Sequence, residues 1–175
     1  MITIHNLNEM DKFAQILVKH LSAKDLILLN GDLGAGKTTL TQFIGKALGV
    51  KRTINSPTFN IIKSYTGSSI RLHHMDCYRL EGEEDDLGFD EYFEDNAIIV
   101  IEWSKFIKDF LPPNHLTINI NVKNANERQV SIETHGQHYA LVKEAILNEL
   151  SSNSVSYTHL PSPRDKARSR MPSSA

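Results

Sequence analysis

The stretch Gly31-Asp32-Leu33-Gly34-Ala35-Gly36-Lys37-Thr38-Thr39 follows directly on the apolar run Leu26-Ile27-Leu28-Leu29. Gly31, Gly36, Lys37 and Thr38 satisfy the pattern G-x-x-x-x-G-K-[ST]. The pattern stands between a strand-like run and an amphipathic helical segment, the context in which it carries meaning. Glycines let such a loop turn so that successive backbone N–H groups point inward, and the following helix adds the positive end of its dipole. The result is a cradle for phosphate oxygens, a P-loop. Lys37 then reaches the β- and γ-phosphates of a nucleotide, and the Thr38 hydroxyl holds Mg²⁺. The bland alternative, a glycine-rich turn with no ligand, explains neither flank.

The rest of the chain alternates helical and strand patterns, as an α/β fold requires. Asn8 is read as the cap of a helix running to about Leu21, with Met10, Phe13, Leu17 and Leu21 on one face. After the glycine loop, Leu40, Phe43, Ile44, Ala47 and Leu48 mark the apolar side of a helix stopped by Gly49. Phe59 to Tyr65 and Ile70 to Tyr78 read as two strands joined by Thr66-Gly67-Ser68-Ser69, a hairpin. Ala97 to Ile101 is a buried strand. Leu116 to Val122 and Gln129 to Thr134 form a second hairpin across Asn124 to Arg128, and a last helix spans about His138 to Leu150 with Tyr139, Val142, Ile146 and Leu150 aligned.

Size and composition bound the rest. With 175 residues, 40% of them hydrophobic, the chain can bury one sizeable core. Its longest apolar run, Ala97 to Ile101, falls far short of the roughly 20 residues that cross a bilayer. A cytosolic protein is expected, and the lone Cys77 is read as an ordinary thiol. From Asn153 onward Arg164, Lys166, Arg168 and Arg170 oppose only Asp165, so the formal charge of −2 divides into +3 for this tail and −5 for residues 1–152. The tail is rich in Ser, Pro and Arg without periodicity. Residues 1–152 are therefore taken as one domain and residues 153–175 as a disordered basic appendage foreign to it, with a basic arm for nucleic acid as the alternative.

A phosphate cradle needs further charge before it hydrolyses anything. In Ile98-Ile99-Val100-Ile101-Glu102-Trp103 the Glu102 carboxylate emerges at the carboxyl end of an apolar strand, where open α/β sheets place their ligands. It can orient or deprotonate an attacking water, or hold a water of the magnesium shell; otherwise it is a solvated charge at a strand end. Asp76, in His74-Met75-Asp76-Cys77-Tyr78-Arg79, is the second candidate, binding Mg²⁺ directly or through water. His73 and His74 have no metal-ligand spacing and read as hairpin residues. The acidic stretch from Glu81 through Asp86, continuing with Asp90, Glu91, Glu94 and Asp95, is either a solvated face or a dock for a basic partner surface. It argues against a grip on RNA by this domain alone, since phosphate contacts need a cationic surplus.

These segments, in this order and in so short a chain, resemble the TsaE (YjeE) family: the glycine loop, then Ser56-Pro57-Thr58-Phe59, then His74-x-Asp76-x-Tyr78-Arg79-Leu80, then Ile101-Glu102-Trp103. The resemblance covers about residues 1–150. It implies a P-loop NTPase-like three-layer α/β domain with a mixed parallel and antiparallel sheet, Mg-dependent ATP hydrolysis, and partnership with the TsaB and TsaD proteins. In that partnership the ATPase cycle supports threonylcarbamoyl transfer to adenosine 37 of tRNA, with tRNA met only through the complex. Carried over residue by residue, Gly31 to Thr39 hold the nucleotide, Lys37 and Glu102 are catalytic, and Thr38, Asp76 and Glu102 are metal-associated. Thr58 becomes a switch residue sensing the γ-phosphate or the metal. Trp103 becomes an aromatic at the nucleotide site or partner surface, with core packing as the alternative. Arg79 either stabilises phosphate charge or pairs with an acid.

Rival readings are a small-molecule kinase, a GTPase switch and a nucleotide-binding module without turnover. No basic lid segment follows Glu102 to serve a kinase. Asp85-x-x-Gly88 matches the D-x-x-G element of GTPases but does not follow an apolar strand, and no N-K-x-D motif is present.

Overall fold

The computed structural model describes residues 1–32, 34–57, 61–82, 88–152 and 156–157. Strand β1 (Ile2–Ile4) leads into helix α1 (Leu7–Lys19), then β2 (Leu26–Asn30) and α2 (Lys37–Ala47). The hairpin β3 (Ile62–Thr66) and β4 (Arg71–Asp76) is followed by a 3-10 turn at Tyr78–Leu80, the short helix α3 (Phe89–Phe93) and β5 (Ala97–Glu102). A second 3-10 segment (Ser104–Phe110) leads to β6 (His115–Val122), β7 (Arg128–His135), α4 (Gln137–Ser151) and a two-residue strand β8 (Ser156–Tyr157).

The strands form one sheet in the order β3-β4-β5-β2-β6-β7-β1-β8. Its centre is parallel, from β4 through β5 and β2 to β6, and both flanks are antiparallel. Because side chains alternate across a strand, β2 sends Ile27 and Leu29 to one face and Leu26 and Leu28 to the other, and β5 divides Ile98 and Val100 from Ile99 and Ile101 in the same way. Both faces are covered, which is what continuous apolar runs in parallel strands require. Helices α1, α2 and α4 close the larger cluster. The smaller one lies under α3 and the two 3-10 segments, around Met75, Phe89, Phe93 and Ile107. The mixed three-layer architecture is thus as expected, with one thin layer. Among the described residues no helix is long and apolar enough to cross a membrane.

Several local expectations need correction. The cap of α1 is Asn6 and not Asn8: the Asn6 side chain accepts from the Glu9 N–H at 2.9 Å. On α2 the buried side is Leu40, Thr41, Ile44 and Gly45, while Ala47 is exposed. A Cβ on Gly45 would run into Ile54 Cδ1, so the tip of that side chain would have to move to admit one. Tyr78 belongs to a 3-10 turn and not to β4. Strand β1 and helix α3 were not anticipated, each being too short to show a period. Residues 59–60 of the expected first hairpin strand lie outside the described residues. Of the tail, residues 156–157 pair with β1.

Candidate functional site

The loop after β2 and the carboxyl ends of β4 and β5 enclose a cleft of about 240 Å³. Gly34, Gly36, Lys37, Thr38 and Thr39 form one wall, and Ser56, Asp76, Glu102 and Trp103 the other. Local chemistry brings the first wall together. Gly31 is placed where a Cβ would stand 2.7 Å from the Ile120 carbonyl of β6, so only glycine lets the chain leave β2 so close to its neighbour. Gly36 has φ +111°, in the region that favours glycine, and turns the loop into α2. Gly36 offers no side-chain cap and the first turn contains no acid. The first residues of α2 thus border the cleft with no side-chain cap among the described residues.

Lys37, only 6% exposed, has no ion pair or hydrogen bond from Nζ among the described residues; its ammonium lies 4.3 Å from the Trp103 ring centroid. Trp103 itself has φ 57°, an outlier for a bulky residue. This left-handed turn ends β5 and lays the indole over Lys37. The ring also meets Tyr78 and Phe106, at 5.0 and 6.2 Å between centroids.

Register sets the acidic wall. Asp76 pairs with Glu102 across parallel β4 and β5, and the Cys77 N–H donates to the Glu102 carbonyl at 3.0 Å, tying the two strand ends. Leu72 and Val100 belong to the cluster beneath α2, so by alternation His74, Asp76 and Glu102 also point to the α2 face. Asp76 Oδ2 accepts from Ser56 Oγ at 3.3 Å and its Oδ1 from the Tyr78 N–H at 3.1 Å. Glu102, 3% exposed, is 2.6 Å from His74 Nε2 through Oε2. Burial, and after it the nearby Asp76 carboxylate, pushes the Cys77 thiol up to about 12.

The cleft thus gathers Gly34, Gly36, Lys37, Thr38, Thr39, Asp76, Glu102 and Trp103 of the expected set. Gly31 and Ala35 lie behind it as supports, and Asp32 is exposed beside it. Leu33 and Thr58 lie outside the described residues. Two contributors were missed. His74, read as a hairpin residue, is a fully buried partner of Glu102. Arg128, from β7, donates through Nε to the Ala35 carbonyl at 2.9 Å, bracing the loop from 93 residues away, a distance over which a single sequence gives no signal. His73 is likewise more than a hairpin residue: its ring bridges Ser64 and Asp95, each at 2.7 Å.

Amides at the start of α2, a lysine with no ion pair among the described residues, hydroxyls and two carboxylates line one cleft, groups of the kinds that would suit a triphosphate with Mg²⁺. Among the described residues no group of three or more His, Cys, Asp or Glu could hold a metal ion, whereas Mg²⁺ is commonly bound by one or two carboxylates together with substrate phosphates. The donor set fits that mode.

A strand, a glycine loop, a helix begun by lysine and threonine, and an acid ending the adjacent parallel strand define a P-loop α/β protein. A family model described as threonylcarbamoyl adenosine biosynthesis protein TsaE matches residues 4–130, and this chain belongs to that family. It is 39% identical over 141 residues to the tRNA threonylcarbamoyladenosine biosynthesis protein TsaE of Bacillus subtilis, covering 81% of this chain and 89% of that protein. To the protein of the same name from Rickettsia felis it is 38% identical over 173 residues, covering 97% and 98%. The crystal structure of Bacillus subtilis YdiB superposes with a TM-score of 0.73 at 32% identity, covering 84% of this chain and 93% of that one.

Proposed function

We propose that this chain is a Mg-dependent ATPase serving tRNA N6-threonylcarbamoyladenosine formation, its hydrolysis cycle driving turnover of a complex of TsaB and TsaD. The observation that carries the reading is the meeting of Lys37, the open start of α2 and the Asp76–Glu102 pair in one cleft. Amides of residues 34–39 and the Lys37 ammonium hold the phosphates. Thr38 and Asp76 hold magnesium, with Glu102 beside them; the ion supplies charge neutralisation on the phosphate oxygens when bound. Glu102 orients a water toward the γ-phosphorus. The new P–O bond forms as the bond to the β–γ bridging oxygen breaks, giving ADP and inorganic phosphate.

Thr58 senses the γ-phosphate, and Trp103 packs beside the nucleotide. The exposed acids Glu81, Asp90, Glu91 and Glu94 provide a docking face for a basic partner surface; Asp95 is withdrawn from it by Arg71 and His73. RNA is then met through the partners, in the cytoplasm. Phosphate release from ATP and from GTP, with and without TsaB and TsaD, tests the reading. Release from ATP that rises with the partners is expected; phosphate appearing on an added metabolite, or no release in any mixture, would overturn it.

A further inference from the structure

A buried imidazole in the sheet interior loses its hydration and is tolerated where hydrogen bonds replace it. His74 has no exposed surface, and only one of its two ring nitrogens is served. Nε2 lies 2.6 Å from Glu102 Oε2, while Nδ1 is buried with no hydrogen-bond partner among the described residues. That asymmetry fixes the proton. A carboxylate oxygen accepts, so Nε2 carries the hydrogen that faces it, and Nδ1, with no acceptor in reach among the described residues, is the bare nitrogen. Glu102 Oε1 has no hydrogen bond among the described residues, and Glu102 lines the cleft.

We infer that His74 is the positioning residue of the site: by donating from Nε2 it clamps Oε2 of Glu102 and leaves Oε1 as the oxygen presented to the cleft. The geometry suits the task. His74 is the register partner of Val100 and so sits one pleat before Glu102 on the neighbouring strand, on the same face. A glutamate side chain otherwise samples several rotamers, and a single buried donor at its tip removes that freedom before any ligand arrives. His74 is not among the described residues that line the cleft; it acts through the carboxylate. The inference rests on the hydrolytic reading of Glu102 given above.

The test compares His74→Leu, which removes the donor, with His74→Gln, whose amide nitrogen reaches a similar distance, each in the parent chain and in a Glu102→Gln background. Turnover of ATP, ATP affinity by calorimetry and the imidazole nitrogen resonances of the ligand-free protein are read. His74→Leu is expected to lower kcat by about 10- to 100-fold, the usual effect of losing an outer hydrogen-bond partner, with ATP affinity retained. His74→Gln should recover most of that loss, and His74→Leu should add none in the Glu102→Gln background. The ligand-free parent should show a protonated Nε2 and a bare Nδ1. A folded His74→Leu variant with parental kcat, an equal loss in both backgrounds, or a proton on Nδ1 with Nε2 bare would overturn the inference. If His74→Leu does not fold, the nitrogen spectrum and the kcat of His74→Gln decide. A parent that releases no phosphate overturns the ATPase reading and this inference together; an active parent with an indifferent His74→Leu overturns this inference alone.

Discussion

The ammonium of Lys37 lies 4.3 Å from the ring centroid of Trp103, so the first residue of α2 and the residue after β5 are in contact across the cleft. Trp103 is the one tryptophan of the chain, and its emission reports that contact directly. Adding ATP and Mg²⁺ should draw Lys37 toward phosphate and change the emission. Lys37→Ala should show an altered emission before any nucleotide is added and no response afterwards, because a cation over an indole is worth only about 0.5–2 kcal/mol and cannot compete with a triphosphate. A tryptophan spectrum indifferent to saturating ATP would contradict this.

Gly31→Ala would place a methyl group 2.7 Å from the Ile120 carbonyl. Backbone cannot yield as a side-chain tip does, so the expected destabilisation is about 1–3 kcal/mol, as for other overpacked sites. Thermal unfolding measures it: a domain of this size loses about 2–4 °C of Tm per kcal/mol. Parental Tm in the variant would mean that the loop does not approach β6 this closely.

Cys77 is the single cysteine, fully buried, with its thiol pushed up to about 12 by burial and by Asp76. The reactive form is the thiolate. At pH 8 a disulfide reagent should leave the native protein unlabelled and should label it completely in denaturant. Rapid labelling of the native protein would show that this end of β4 opens.

The Asp95 carboxyl is held below its ordinary value of 3.8, first by the hydrogen bond from His73 and then by the Asn96 N–H and Arg71, with burial opposing them. A carboxyl depressed in the folded state adds stability above its unfolded value, and that contribution disappears as pH falls through the folded value. The stability advantage of the parent over Asp95→Asn should therefore be steady above about pH 5 and shrink as pH drops below 3.8. Denaturant titrations across that window measure it. An advantage that grows with acid would reverse the assignment.

Wherever chemistry and period coincide locally, the sequence and structure agree. The glycine loop, the strand before it and the helix after it could be read from residues 26–49, because a phosphate cradle leaves a motif at fixed spacing. Asp76 and Glu102 were legible as acids closing strands. Their side-by-side register was not, since pairing of β4 with β5 is decided by a core that no single segment encodes. His74 is the hairpin residue that the sequence suggests, but its bond to Glu102 is not legible there: the partner stands 28 residues away, and a histidine within an apolar strand looks structural until that neighbour is seen. Arg128 and β1 are longer-range still. The cap of α1 slipped by two residues because Asn6 and Asn8 are equally good caps in composition, and only the bond to the Glu9 N–H distinguishes them.

On the proposed function, the cleft at the start of α2 takes ATP with Mg²⁺, and Glu102 serves its hydrolysis rather than its binding. Calorimetry and phosphate release on the parent, Glu102→Gln and Lys37→Ala test it in one experiment. Glu102→Gln should bind ATP as the parent does while turnover falls by about 10²–10³, the size of one lost transition-state contact, and Lys37→Ala should lose binding. Equal turnover of Glu102→Gln and parent, or no heat of ATP uptake by the parent, would contradict the account.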